Sequence, residues 1–197
     1  MNLPNILTLS RVPMMFIIVA LYYCEWTGAG MLCFWLFIGG AVSDWLDGYI
    51  ARKQKIVTDF GKFADGLTDK IMVLGLMIAL VDRQVLPVPY VLITLCREFM
   101  VSGMRMIAAT KGVVIAADRG GKTKTLTQLI SIGFLLAEPA ISRDLARWLP
   151  GHDFSLLAEF AHNVGLVGFI LGTFLALWSG YRYFRNNWSL VVGDSAK

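Results

Sequence analysis

Two stretches of this 197-residue chain, Trp26 to Ser43 and Phe160 to Tyr181, contain no Asp, Glu, Lys or Arg. A helix rises about 1.5 Å per residue, so about 18 to 20 such residues are enough to cross the hydrocarbon of a bilayer. Four further apolar runs are interrupted by charge: Ile6 to Tyr23 by Arg11, Phe63 to Val81 by Asp65, Asp69 and Lys70, Leu86 to Ile107 by Arg97, Glu98 and Arg105, and Leu126 to Ile141 by Glu138. Polar residues near the end of a span weaken a hydropathy signal without preventing insertion. With 56% apolar and 16% charged residues and a mean hydropathy of +0.62, the chain reads as an all-α, polytopic membrane protein. Six transmembrane helices plus a short N-terminal juxtamembrane helix are expected, in a single domain over residues 1–197. The polar stretch from Ser142 to Ser155 reads as an outward loop.

Six spans make the connections alternate sides, and the Lys and Arg content of the connections orients them. Of the 18 basic residues, thirteen fall on the side that holds both termini and the second and fourth connections; Arg83, Arg143 and Arg147 fall on the other, and Lys70 and Arg97 lie inside spans. Both termini are therefore expected in the cytoplasm. A net charge of +4 suits contact with anionic headgroups of membrane lipids, and no basic, aromatic-interleaved soluble module points to nucleic acid. Cys24, Cys33 and Cys96 show no C-x-x-C spacing and read as packing residues. The opening MNLPNILTLSRVP lacks the basic region and small-residue cleavage site of a signal peptide, so the first apolar run is expected to stay in the mature protein.

The segment SDWLDGYIARKQKIVTDFGKFADGLTDK, from Ser43 to Lys70, concentrates five aspartates at the border of two spans. On a helix Asp44, Asp47, Gly48 and Ala51 share one face, and Gly61, Asp65 and Asp69 recur every four residues on the next. Carboxylates at a membrane edge are costly unless they are neutralised. Arg52, Lys62 and Lys70 would do this as ion pairs; the clustering instead favours hard divalent cations, which take oxygen ligands. Asp44, Asp47, Asp65 and Asp69 suit two ions, Mg²⁺ or Mn²⁺, that share ligands and clamp phosphoryl oxygens.

Residues 44 to 69 match the pattern D-x2-D-G-x2-A-R-x8-G-x3-D-x3-D at every specified position, and in this the chain resembles the CDP-alcohol phosphotransferases. LPNILTLSR, CREFMVSGMRMIAATKGVV and GGKTKTLTQ are similar to segments of the bacterial phosphatidylglycerophosphate synthases within that family. The run DGLTDK departs from the DPxADK common in them, at Gly66 and Thr68 outside the fixed positions. The resemblance implies transfer of the phosphatidyl group of CDP-diacylglycerol to glycerol 3-phosphate, with release of CMP, by a homodimer. It implies that the four aspartates are metal ligands, Asp69 also serving as general base. It further implies that Asn5, Thr8, Gly48, Ala51 and Arg52 bind the donor nucleotide and that Thr58, Arg105, Lys122 and Lys124 bind the acceptor phosphate.

Each auxiliary assignment has a plainer counterpart. Asn5 and Thr8 would equally cap the first helix, and juxtamembrane Arg105, Lys122 and Lys124 would equally meet lipid headgroups. Arg97 has Glu98 and Glu138 as alternative partners. His152 and His162 lie away from the aspartates and carry no catalytic assignment. The alternative acceptors are inositol phosphate, serine or a second phosphatidyl lipid. A divalent-cation transporter is the competing class, but its acids belong near the bilayer midplane, whereas these four gather toward one face.

Overall fold

The computed structural model describes residues 3–54, 59–113 and 119–192; the side chains of residues 3–7, 44–54, 59, 60, 62, 63, 65, 119–122 and 189–192 lie outside that description. Within it the long helices form where the apolar runs lie: α1 (Leu3–Tyr23), α2 (Ala29–Gln54), α3 (Asp59–Asp82), α4 (Val88–Thr110), α5 (Arg119–Pro139) and α7 (Ser155–Val192). There is no strand among the described residues. Two segments, Thr123–Trp148 and Ser155–Trp188, are long and apolar enough to cross a membrane, and Thr8–Tyr23 and Ala29–Ser43 are shorter apolar helices. Large apolar side chains on the exterior of α1, α4 and α7, among them Phe16, Phe99, Leu156 and Phe174, are well exposed, an outer surface suited to hydrocarbon.

Two expectations are corrected. Among the described residues no separate juxtamembrane helix precedes the apolar run Thr8–Tyr23, because residues 3–23 form one continuous helix. The stretch expected to loop out from Ser142 is helical to Trp148, as a π-helical turn (Ala140–Leu145) followed by α6 (Ala146–Trp148). Proline supplies the physical reason for the wider turn: Pro139 has no N–H for the preceding carbonyl ladder, which a π turn absorbs without ending the helix. Only 149–154 then connect to α7, where Asp153 accepts the Ser155 N–H at 2.9 Å and this bond holds its carboxyl below the usual carboxylate range.

Along α1 the buried residues Thr8, Arg11, Met15 and Ile18 recur every three or four positions and form one stripe. Met15 and Ile18 join Cys33 and Phe37 of α2 and Met72, Leu76 and Leu80 of α3 in the main core, so α1 is wedged against both aspartate-bearing helices. The most extensive pairing is α5 with α7. Small residues allow it: a Cβ on Gly165 would meet Leu135 Cγ at 2.7 Å, one on Gly168 would meet Ser131 Oγ at 2.6 Å, and one on Gly172 would meet Gln128 Cγ at 3.0 Å. Where lipid tails are as apolar as leucine, close backbone approach of this kind is the main source of helix association.

The end of the bundle that carries the α1–α2, α3–α4 and α6–α7 connections is tied by polar contacts. Asp144 is fully buried; it accepts the Met31 N–H at the start of α2 at 2.8 Å and Arg143 Nε at 3.1 Å. Arg143 also donates to the Cys24 carbonyl at 2.8 Å. Tyr23 donates to Asp82 at 2.6 Å, and Arg83 stacks over the Tyr23 ring. At the opposite end α4 stops in a Schellman arrangement, with Gly112 at φ +70° and the Val113 N–H bonded to the Ala108 carbonyl.

Gly165→Val is expected to destabilise the protein by about 1–3 kcal/mol through overpacking against α5. Gly39→Ala, where an added Cβ meets nothing within 4 Å, is expected to fall within about 0.5 kcal/mol of wild type; thermal unfolding in detergent checks both.

Candidate active site

A cavity of about 660 Å³ opens between α3, α4 and α5. Helix α3 contributes Asp69 and Lys70; α4 contributes Arg97, Glu98, Ser102 and Arg105, which the helical repeat brings to one side; α5 contributes Lys124 and Gln128. Val73, Leu74, Met77 and Leu129 complete its wall and lead into the apolar core. Polar groups on three helices therefore line the cavity beside this apolar wall.

Its charged side chains are organised around Glu98. Arg97 Nη1 donates to Glu98 Oε1 at 2.7 Å, and Lys124 Nζ donates to the same oxygen. The rest of the Arg97 fork is used on α7, donating from Nε to the Ala176 carbonyl at 3.3 Å and from Nη2 to Ser179 Oγ at 3.0 Å. Gly180 makes room for this, since a Cβ there would lie 3.1 Å from Arg97 Cγ. A glutamate, two cations and two groups on α7 thus join α4, α5 and α7 through a mostly buried network. Arg suits such a node because its planar fork offers five donors in fixed directions.

Two further contacts extend it. Lys70 Nζ donates to Ser102 Oγ at 2.5 Å, and that hydroxyl donates to the Glu98 carbonyl at 2.6 Å. Deeper in, Gln128 Nε2 donates to Thr94 Oγ1 at 3.2 Å, and Thr94 and Thr173 hydroxyls lie 3.3 Å apart. At the rim Arg105 is exposed and sits over the Tyr183 ring, its Nε donating to the Tyr183 hydroxyl at 3.4 Å.

Of the residues singled out from sequence, Asp69, Arg105 and Lys124 come together at this cavity. Thr8 is buried on α1. Neither Asn5 nor Thr8 is a helix cap, because α1 begins at Leu3 and both lie inside it. Asp44, Asp47, Gly48, Ala51 and Arg52 belong to the continuous helix α2, and Asp65 to α3; the side chains of all six, and of Asn5 and Lys122, lie outside the described residues, as does Thr58 entirely. The choice for Arg97 resolves to Glu98; Glu138 is instead near enough to Tyr22 to act on it electrostatically. Sequence reasoning passes over Thr94 and Gln128; the signals that would find them are the four-residue repeat Thr94, Glu98, Ser102 on α4 and the four-residue step from Lys124 to Gln128 on α5.

Among the described side chains no group of three or more His, Cys, Asp or Glu gathers that would hold a metal, three of the four candidate ligands lying outside the description. The donor set itself fits a hard divalent cation: four carboxylates, spaced three apart on α2 and four apart on α3, all oxygen donors.

Known proteins resemble this chain along most of its length. The family model described as CDP-alcohol phosphatidyltransferase matches residues 1–177. The chain is 35% identical to the CDP-diacylglycerol–glycerol-3-phosphate 3-phosphatidyltransferase of Bacillus subtilis (strain 168), over 96% of this chain and 97% of that one. It is 32% identical to the protein of the same name from Rickettsia bellii (strain RML369-C), over 93% and 94%. To the cardiolipin synthase (CMP-forming) of Oryza sativa subsp. japonica it is 33% identical, over 98% of this chain and 59% of that protein. A helical bundle with the full aspartate pattern, matched along nearly all its length by such relatives, belongs to the CDP-alcohol phosphatidyltransferase family.

Proposed function

We propose that the protein transfers the phosphatidyl group of CDP-diacylglycerol to glycerol 3-phosphate, giving phosphatidylglycerophosphate and CMP. The observation that carries this reading is the charge of the cavity beside Asp69. Its described lining has four cations, Lys70, Arg97, Arg105 and Lys124, against two carboxylates, Asp69 and Glu98. A surplus of two positive charges complements a phosphate dianion and offers zwitterionic serine no match. The names of the bacterial relatives support glycerol 3-phosphate as that dianion; inositol phosphate carries the same group and is the nearest alternative. The name of the rice relative keeps a second phosphatidyl lipid as a further one.

In this mechanism Asp69 takes the proton from the acceptor hydroxyl, whose oxygen forms a bond to the phosphatidyl phosphorus as the bond from that phosphorus to the CMP oxygen breaks. Arg105 and Lys124 hold the acceptor's phosphate so that its hydroxyl points to Asp69, which removes much of the entropic cost of the encounter. Asn5, Thr8, Gly48, Ala51 and Arg52 bind the donor's nucleotide, the two small residues leaving space along α2. The family uses divalent cations; two, Mg²⁺ or Mn²⁺, held by Asp44, Asp47, Asp65 and Asp69, would supply charge stabilisation at the pyrophosphate oxygens. The remaining parts of the proposal are a single domain of six spans, a homodimer among membrane lipids, and a bacterial inner-membrane location with both termini and the site cytoplasmic.

Three outcomes follow. Asp69→Asn is expected to lower kcat by about 10²-fold or more, as measured by CMP release from purified protein, while thermal unfolding stays near that of wild type. Arg105→Ala is expected to raise KM for glycerol 3-phosphate about tenfold and to leave KM for CDP-diacylglycerol unchanged; turnover with serine or inositol phosphate but none with glycerol 3-phosphate would refute the acceptor assignment. A C-terminal green fluorescent protein fusion is expected to fluoresce and the matching alkaline phosphatase fusion to be inactive, the reverse result contradicting the orientation.

A further inference from the structure

The cavity's cations do not all face the same task. Arg97 is anchored by the protein through three of its five donors: Nε and Nη2 donate to the Ala176 carbonyl and Ser179 Oγ of α7, and Nη1 donates to Glu98. Lys124 is only 3% exposed, yet it lines the cavity. Of the three donors on its ammonium, Glu98 takes one. Lys124 also lies within electrostatic range of both Arg97 and Lys70, so three like charges crowd the inner wall, where the weak dielectric makes their repulsion strong. Glu98 is the carboxylate set against them, and a single oxygen, Oε1, serves Arg97 and Lys124 together.

That sharing fixes positions as well as charge. Arg97 is anchored to α7, so it holds the Glu98 carboxylate on one side, and the carboxylate in turn holds the far end of a flexible lysine stem on the other. The backbone carbonyl of Glu98 adds a third tie, accepting Ser102 Oγ, which itself accepts Lys70 Nζ. The Glu98 side chain thereby places Lys124 directly, whereas the Ser102 bond that receives Lys70 uses a backbone carbonyl that any residue at position 98 would offer.

We propose that Glu98 is a positioning residue that sets the specificity of the acceptor site for a phosphate dianion. It does not touch the reacting atoms; it holds Lys124 where the acceptor's phosphate binds. This inference rests on the acceptor reading given above. Glu98→Gln keeps the shape and removes the charge. It is expected to raise KM for glycerol 3-phosphate tenfold or more, with kcat and KM for CDP-diacylglycerol within about twofold of wild type. Inorganic phosphate, used as a competitor against glycerol 3-phosphate, is expected to lose affinity in parallel.

Binding of inorganic phosphate, followed by its stabilisation of the full-length protein in detergent, separates the two readings. If wild type shows no turnover with glycerol 3-phosphate, the acceptor reading fails, while loss of phosphate stabilisation in Glu98→Gln still supports the positioning role and equal stabilisation overturns it. Should Glu98→Gln not fold, Glu98→Asp, with its charge on a shorter stem, is expected to show the same selective rise in acceptor KM at about twofold to fivefold. An acceptor KM unmoved in the folded variant, or a fall in kcat alone, overturns the proposal.

Discussion

Charge inside an apolar bundle is tolerated only where a partner and hydrogen bonds meet it, since an ion that loses its partner there costs several kcal/mol. Glu98 meets that condition for two cations at once, and the consequences reach beyond the pair. Arg97, held by Glu98, spends two more donors on α7; Gly180 gives the arginine stem room, a Cβ there lying 3.1 Å from Arg97 Cγ. Lys124, held from the other side, is kept on the cavity wall although its surroundings are almost fully closed. One carboxylate thus ties α4 to α5 through Lys124 and steadies the arginine that reaches α7.

Polar groups divide between the two ends of the bundle, with an apolar core between them. At one end Asp144 answers the free N–H groups at the start of α2, where the helix dipole is positive, and Arg143 ties the same carboxylate to the α1–α2 connection. At the other lie Asp69 and the cavity, on the helix halves that also carry Asp44, Asp47 and Asp65. The middle, from Met15 and Phe37 through Leu76 to Ile132 and Phe169, is closely packed and apolar. Such a partition suits a reaction in which a water-soluble acceptor meets a lipid at its headgroup.

Much of this is legible in the amino-acid sequence alone. Charge-free runs locate the helices because hydrocarbon leaves the backbone no other way to satisfy its hydrogen bonds, and the fixed spacing of Asp44, Asp47, Asp65 and Asp69 identifies the family. Less can be read where the outcome depends on neighbours distant in sequence. For Arg97 the sequence offers two equally plausible carboxylates; the packing of α4 against α5 and α7 decides between them by putting Glu98 and Ser179 around the guanidinium. Lys124 reads as an open phosphate-binding cation; burial by the surrounding helices makes it a held one. The residues after Pro139 resemble a loop because proline and polar residues usually mark one, but a π turn lets the helix continue and puts the polar side chains to use against α2.

The 38-residue α7 measures about 57 Å from end to end at the helical rise, against about 30 Å of hydrocarbon. An unbroken rod of that length cannot be hidden by tilting alone, because the usual inclination of about 20° shortens its projection only slightly. Several turns must therefore stand clear of the bilayer, and those on the side of Arg97 and Tyr183 carry Arg182, Arg185 and Trp188, chemistry that favours the headgroup layer. The helix to which Arg97 is anchored is thus also a depth gauge: its emerging end sets how far the cavity sits from the plane in which lipid headgroups move.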